Sequence, residues 1–212
     1  EISMFVKRCL VLAAGAAILG ATLAGSATAQ SNSKEIMAKP AAELVELVKS
    51  PDASTFEKAK ACQRLAVVGT TDAIPALAAL LADEKLNLYA RFALEAIPDP
   101  AADDALRTAA TKLEGRQLVG VINSIGKRKD AQALDLLKGL MGHADKAVAM
   151  AAAHAIGNIG TVEAAAILTE ALAKDSPMKR CLGDGALTCA EGLAAAGKQA
   201  EAIALYQTVA KS

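Results

Sequence analysis

The chain has no tryptophan, two tyrosines and three phenylalanines, so aromatic residues are 2% of its 212 positions. Its hydrophobic fraction is nevertheless 53% and comes mostly from Ala, Leu, Val and Ile. That mixture suits helices packed closely through small side chains and disfavours strands, which draw on aromatic and β-branched residues. Net charge is lacking as well, since 23 Lys and Arg face 23 Asp and Glu. A nucleic-acid or anionic-membrane partner normally shows as a basic excess, so neither is expected.

Groups that do chemistry are equally sparse. His143 and His154 are the two histidines, and neither lies in an HExxH, CxxCH or zinc-finger spacing. Gly183 and Gly185 lack the full phosphate-loop pattern, and no G-x-S-x-G elbow occurs. A non-enzymatic chain without metal or cofactor is therefore expected. Cys62, Cys181 and Cys189 follow the N-terminal region as an odd set with no CxxC pair. On one helix, Cys181 and Cys189 would stand about 12 Å apart. A disulfide needs Cα atoms within about 7 Å, so buried free thiols are expected at all three places.

The N-terminus is what an export signal requires. Reading from Met4, Lys7 and Arg8 form a positive start, Cys9 to Leu23 an uncharged apolar stretch, and Ala27-Thr28-Ala29 a small-residue cleavage site. Residues 1–29 are expected to be a signal peptide cut before Gln30, leaving the rest periplasmic or extracellular with no membrane insertion. The rival is a retained anchor, because Cys9 to Ala29 just reaches the roughly 20 residues that span a bilayer. Beyond the cut, residues 30–39 are polar and expected to be a flexible leader.

From residue 40 onward the apolar pattern repeats. Pro40 can open a short cap helix over Ala41 to Lys49 with Leu44, Val45 and Val48 on one face. Five helical pairs are then expected. Asp145, Val148, Ala152, Ala155, Ile156, Ile159 and Gly160 step by threes and fours along one first helix. Asp83, Leu86, Ala90, Ala93, Leu94, Ile97 and Pro98 occupy the same places two pairs earlier, and in the pair between, Leu118, Val121, Ile122, Ile125 and Gly126 match the last five. Ala61, Leu65, Val68 and Gly69 match in the first pair, with Arg64 interrupting an apolar place.

Turns are expected at Gly69, Pro98, Gly126, Gly160 and Gly197, and helix caps at Thr71, Asp99 and Thr161. The second helices align through Leu77, Leu137 and Leu168, with Asp103 standing where the first pair has Ile74. The last pair, Met178 to Ala196 and Lys198 to Lys211, is longer and atypical, as edge repeats are.

The run D-x-x-V-x-x-x-A-A-x-A-I-G-x-I-G at Asp145 to Gly160, with its second amphipathic helix, resembles the short HEAT-like repeats also found in phycobilisome lyases and many bacterial scaffolding proteins. The resemblance covers most of Asp52 to Ala173, and the last pair looks closer to a TPR-like hairpin. It implies an all-α fold, an α-solenoid of HEAT-like helical hairpins over residues 40–212, with repeats that bury one another's apolar faces. Where HEAT repeats often carry an arginine after the valine, this chain has Ala149, so the resemblance gives no Asp–Arg ladder there. On function it implies an exported interaction or assembly scaffold with a protein or peptide partner.

Two alternatives carry their own expectations. A chromophore-handling lyase-like protein would require a deep pocket with aromatic or acid–base groups, and a membrane-anchored structural subunit would keep its N-terminal apolar stretch.

In HEAT-like arrays the second helices line the concave side. Their outward places hold Asp104 and Arg107, then Asp135 and Lys138, then Glu170, then Gln207, and these are the candidate protein-binding residues. Asp104–Arg107 and Asp135–Lys138 are also spaced to pair along their helices. Lys127-Arg128-Lys129 reads as a solvated basic turn, because Asp130 follows at once and no aromatic interleaves.

Overall fold

The computed structural model describes residues 32–212. The export signal, with Lys7, Arg8 and Ala27-Thr28-Ala29, lies outside the described residues. Helices account for nearly all regular structure. Residues 32–38 form α1, followed by α2 (Ala41–Lys49), α3 (Thr55–Val68), α4 (Ile74–Ala79), α5 (Asn87–Ala96) and α6 (Pro100–Ala110). Then come α7 (Gly115–Arg128), α8 (Leu134–Leu140), α9 (Lys146–Ile159), α10 (Val162–Leu172), α11 (Lys179–Ala195) and α12 (Gln199–Lys211). After α2 these form five pairs, α3/α4 to α11/α12, and the first helices α3, α5, α7, α9 and α11 pack on one another in chain order. The stretch expected to be a flexible leader is instead helical at 32–38, because Ile36 finds an apolar seat and is buried.

Local chemistry sets the helix ends. Ser54 and Glu57 close a reciprocal capping box at the start of α3, which satisfies two otherwise free amides. Asp99, Asp145 and Thr161 accept from backbone amides at the starts of α6, α9 and α10. Thr71 is no cap: it lies in a short 3-10 turn, Thr71–Ala73, and its hydroxyl donates to Asp99 of the next pair. Gly160 ends α9 in the left-handed region, φ 68°, where a side chain would be strained.

The third turn departs from expectation. Helix α7 runs through Gly126 and stops at Lys129, a non-glycine residue at φ 57°. Gly126 serves packing instead, since a Cβ there would lie 2.7 Å from the Cα of Ala155. One pair further on, a Cβ on Gly157 would lie 2.4 Å from the carbonyl oxygen of Gly185. Helices α7, α9 and α11 therefore meet almost backbone to backbone.

The core follows the periodic pattern. Leu65, Leu77, Leu94, Leu106, Ile122, Leu137, Ile156 and Leu168 are fully enclosed. Cys62, Cys181 and Cys189 are free and buried among them. Burial pushes the Cys62 thiol up to about 12 and Cys189 to about 11. At neutral pH both are therefore protonated, the weakly nucleophilic form. No helix among the described residues is long and apolar enough to cross a membrane.

Candidate functional site on the second helices

Helix α8 places Lys138 at the surface one residue beyond the buried Leu137, and α10 places Glu170 two residues beyond the buried Leu168. The equivalence of Leu137 and Leu168 brings the two charges together across neighbouring pairs. Lys138 Nζ donates to Glu170 Oε2 at 2.8 Å, and Lys174 Nζ donates to Oε1 at 3.0 Å. The expected Asp135–Lys138 pair does not form, and Asp135 has no ion pair among the described residues.

This triad rims a groove of about 330 Å³. Met141, Ile167, Ala171, Met178 and Leu182 supply apolar walls. An apolar cleft with a few charges at its lip is how a partner's side chain is both buried and oriented.

Hydrogen bonds from Lys138 and then Lys174 hold the Glu170 carboxyl down to about 2. The usual value being 4.5, ionised Glu170 contributes stability that is full above that value and disappears as pH falls through about 2. The residue is exposed, so salt screens the effect. Carbon-13 titration should show Glu170 ionising well below the ordinary value of 4.5 in the wild type. In a Lys138→Ala, Lys174→Ala double variant it should move back up toward that value, and a carboxyl indifferent to that change would refute the triad.

Asp104 and Arg107 are also together, but tied down. The Arg107 guanidinium bonds Asp104 on its own helix and Asp130 at the start of the next second-helix segment. Desolvation opposes the Arg107 charge, but Asp130, with Asp104, outweighs it, and its pKa is raised. Asp130 is itself buried and caps the 3-10 turn Ala131–Ala133. Arg107 is therefore an inter-repeat brace and a poor docking contact, whereas Asp104 borders a separate groove at α4 and α6.

Gln207 is exposed on α12, apart from both clusters. Its neighbours carry more contact area. Ile203 is 54% exposed and Tyr206 38%, and they flank the buried Leu205 as Ala166 and Thr169 flank Leu168. Setting Leu205 against Leu168 would have found them, since those two share a register place.

The basic turn is corrected more sharply. The Arg128 side chain is largely enclosed, with 9% of it exposed. It grips both oxygens of Asp103 and donates Nη1 to the carbonyls of Leu94 at 2.8 Å and Ile97 at 2.7 Å. Lys127 bonds Glu95 at 2.8 Å. Arg107 and Arg128 thus brace neighbouring repeats from α6 and α7, away from Ala149.

No three His, Cys, Asp or Glu side chains gather as a metal site among the described residues. The His143 ring accepts from the Asp145 amide at 3.0 Å, a local turn contact.

Against known families, residues 118–180 match the model for HEAT repeats, a span from α7 to the first turn of α11. The match supports a HEAT-like repeat protein with an all-helical fold. Among curated proteins, none matches the chain.

Proposed function

We propose that this is an exported, non-enzymatic interaction or assembly module. It is an α-solenoid of HEAT-like hairpins with a TPR-like terminal hairpin, and it seats a segment of another protein along its second helices. The observation that carries the reading is the groove at α8 and α10, apolar within and rimmed by Lys138, Glu170 and Lys174. HEAT repeats typically mediate protein interaction, and the matched span contains all of that groove except its far wall on α11. Tyr206 and Ile203 extend the same face with the kind of side chain that anchors interfaces. Export is supported by Lys7, Arg8, the apolar run and Ala27-Thr28-Ala29.

The test is capture of partner protein from the envelope fraction, where the recovered chain should begin at or near Gln30. Ala171→Arg, which fills the groove, together with Lys138→Glu and Lys174→Glu should abolish capture while helicity stays intact and melting shifts only slightly, as the loss of exposed ion pairs does. Arg107 is left in place because its loss would disturb folding. A folded variant that captures as well as the wild type would refute the groove.

A further inference from the structure

A second cleft, of about 430 Å³, opens between the starts of α5 and α7. Lys85, Arg91 and Arg116 line it, and Glu84 is the one acid among the lining residues. In a chain whose charges otherwise balance, this is a local cationic excess. Lys85 and Arg116 are exposed, and neither makes an ion pair among the described residues.

Arg91 is fixed in place. Its Nε donates to Asn87 Oδ1 at 2.8 Å, and its Nη1 donates to the carbonyl of Gly120 at 3.0 Å and to Ser124 Oγ at 3.2 Å. A Cβ on Gly120 would lie 2.7 Å from that Nε, so the bare glycine is what lets the guanidinium lie on α7. Its nearest carboxylate, on Glu95, is 3.9 Å away, too far for a direct hydrogen bond. One cation is thus pre-organised and two are free to reach.

Beside these charges the surface is apolar. Leu88 borders the cleft and is 62% exposed, and Phe92, one turn along the same face of α5, is 52% exposed. Single exposed apolar residues need no explanation, but a pair one helical turn apart beside a cationic cleft is a compound feature.

We infer that this cleft binds an acidic segment of a partner protein, carboxylates meeting Lys85, Arg91 and Arg116 while an aliphatic side chain covers Leu88 and Phe92. Charge complementarity selects an anion, and the adjoining apolar strip selects a segment that carries hydrophobic side chains as well. An anionic bilayer would need basic residues spread over a face, whereas these three are gathered in one cleft. The site lies on first helices and is independent of the α8/α10 groove.

The experiment is fluorescence anisotropy of a labelled peptide of alternating Glu and Leu titrated with the full chain. Binding should saturate, and raising salt from about 0.05 to 0.3 M should weaken it. Lys85→Glu with Arg116→Glu should weaken it by at least about tenfold. Leu88→Ser should weaken it by about threefold. Both charge changes are at exposed positions, so circular dichroism and melting should match the wild type. Lys138→Glu with Lys174→Glu should bind the peptide unchanged, which separates this cleft from the groove. The inference is overturned by absent saturation, by equal binding in the Lys85, Arg116 variant, or by phosphatidylglycerol vesicles that bind with the same losses while the peptide does not.

Discussion

Arg128→Met should destabilise the fold by about 3–5 kcal/mol in denaturant melts, the range for removing one partner of a buried ion pair. The reason begins at Pro98. The ladder of α5 closes with the Ile97 amide donating to the Ala93 carbonyl. The next carbonyl, Leu94, looks for an amide at position 98, where proline has none. Arg128 supplies that hydrogen from α7 through Nη1 and also holds the carbonyls of Ile97 and, through Nη2, Asp99. Its remaining valence is spent on Asp103 of α6.

Methionine keeps the packing of the stem and removes all of this, leaving a carboxylate that is 21% exposed without its counter-charge. A second variant divides the causes. If the ion pair alone mattered, Arg128→Met with Asp103→Leu would recover near wild-type stability, as apolar replacements of buried pairs often do. Because the carbonyls would still lack their donor, the double variant should remain about 1–3 kcal/mol below the wild type. A single variant within about 0.5 kcal/mol of the wild type would mean that the guanidinium stabilises nothing.

Leu77→Ala, Leu137→Ala and Leu168→Ala should each lower stability by about 2–5 kcal/mol. Each leucine occupies the same place on its second helix and is fully buried, so truncation removes apolar contact and leaves a void that rigid neighbours fill only in part. Asp135→Ala, two residues before Leu137 on an exposed place without an ion pair, should stay within about ±0.5 kcal/mol. Equal losses in the two groups would show that the register is wrong by a residue.

How much of this was readable from the residues depends on the kind of signal. Apolar periodicity recurs, so Leu86 to Ile97, Leu118 to Ile125 and Val148 to Ile159 all turn buried faces inward as the spacing predicts. Caps depend on one local contact, and Asp99 and Thr161 make it while Thr71 is taken by Asp99. Gly126 misleads because a glycine that ends a helix and one that admits a neighbouring backbone look the same in one dimension.

Long-range polar partners leave no periodic trace at all. Arg128 sits in a basic tripeptide, and the carbonyls it serves lie 29 to 34 positions earlier. The candidate ladder was half legible for the same reason. Lys138 and Glu170 meet, whereas Arg107 had a buried acceptor, Asp130, that its own helix did not reveal. Ile203 and Tyr206 are within reach of the pattern, since Leu205 stands where Leu168 does, but the longer and atypical last pair masks that register.

The near contact of Gly126 with Ala155 and of Gly157 with Gly185 has a mechanical side. Two helices spaced by side chains can shear past each other as rotamers change, but two backbones in contact must first lift apart, which strips their dispersion contacts all at once. The α7–α9–α11 part of the stack is therefore stiff. Between α5 and α7 the contact instead runs through the hydrogen-bonded side chains of Arg91 and Arg128, so that joint is held by polar bonds and not by backbone against backbone. On the docking proposed above, a partner at α8 and α10 would sit on a stiff plate, and bending to reach a second contact would fall outside α7–α9–α11.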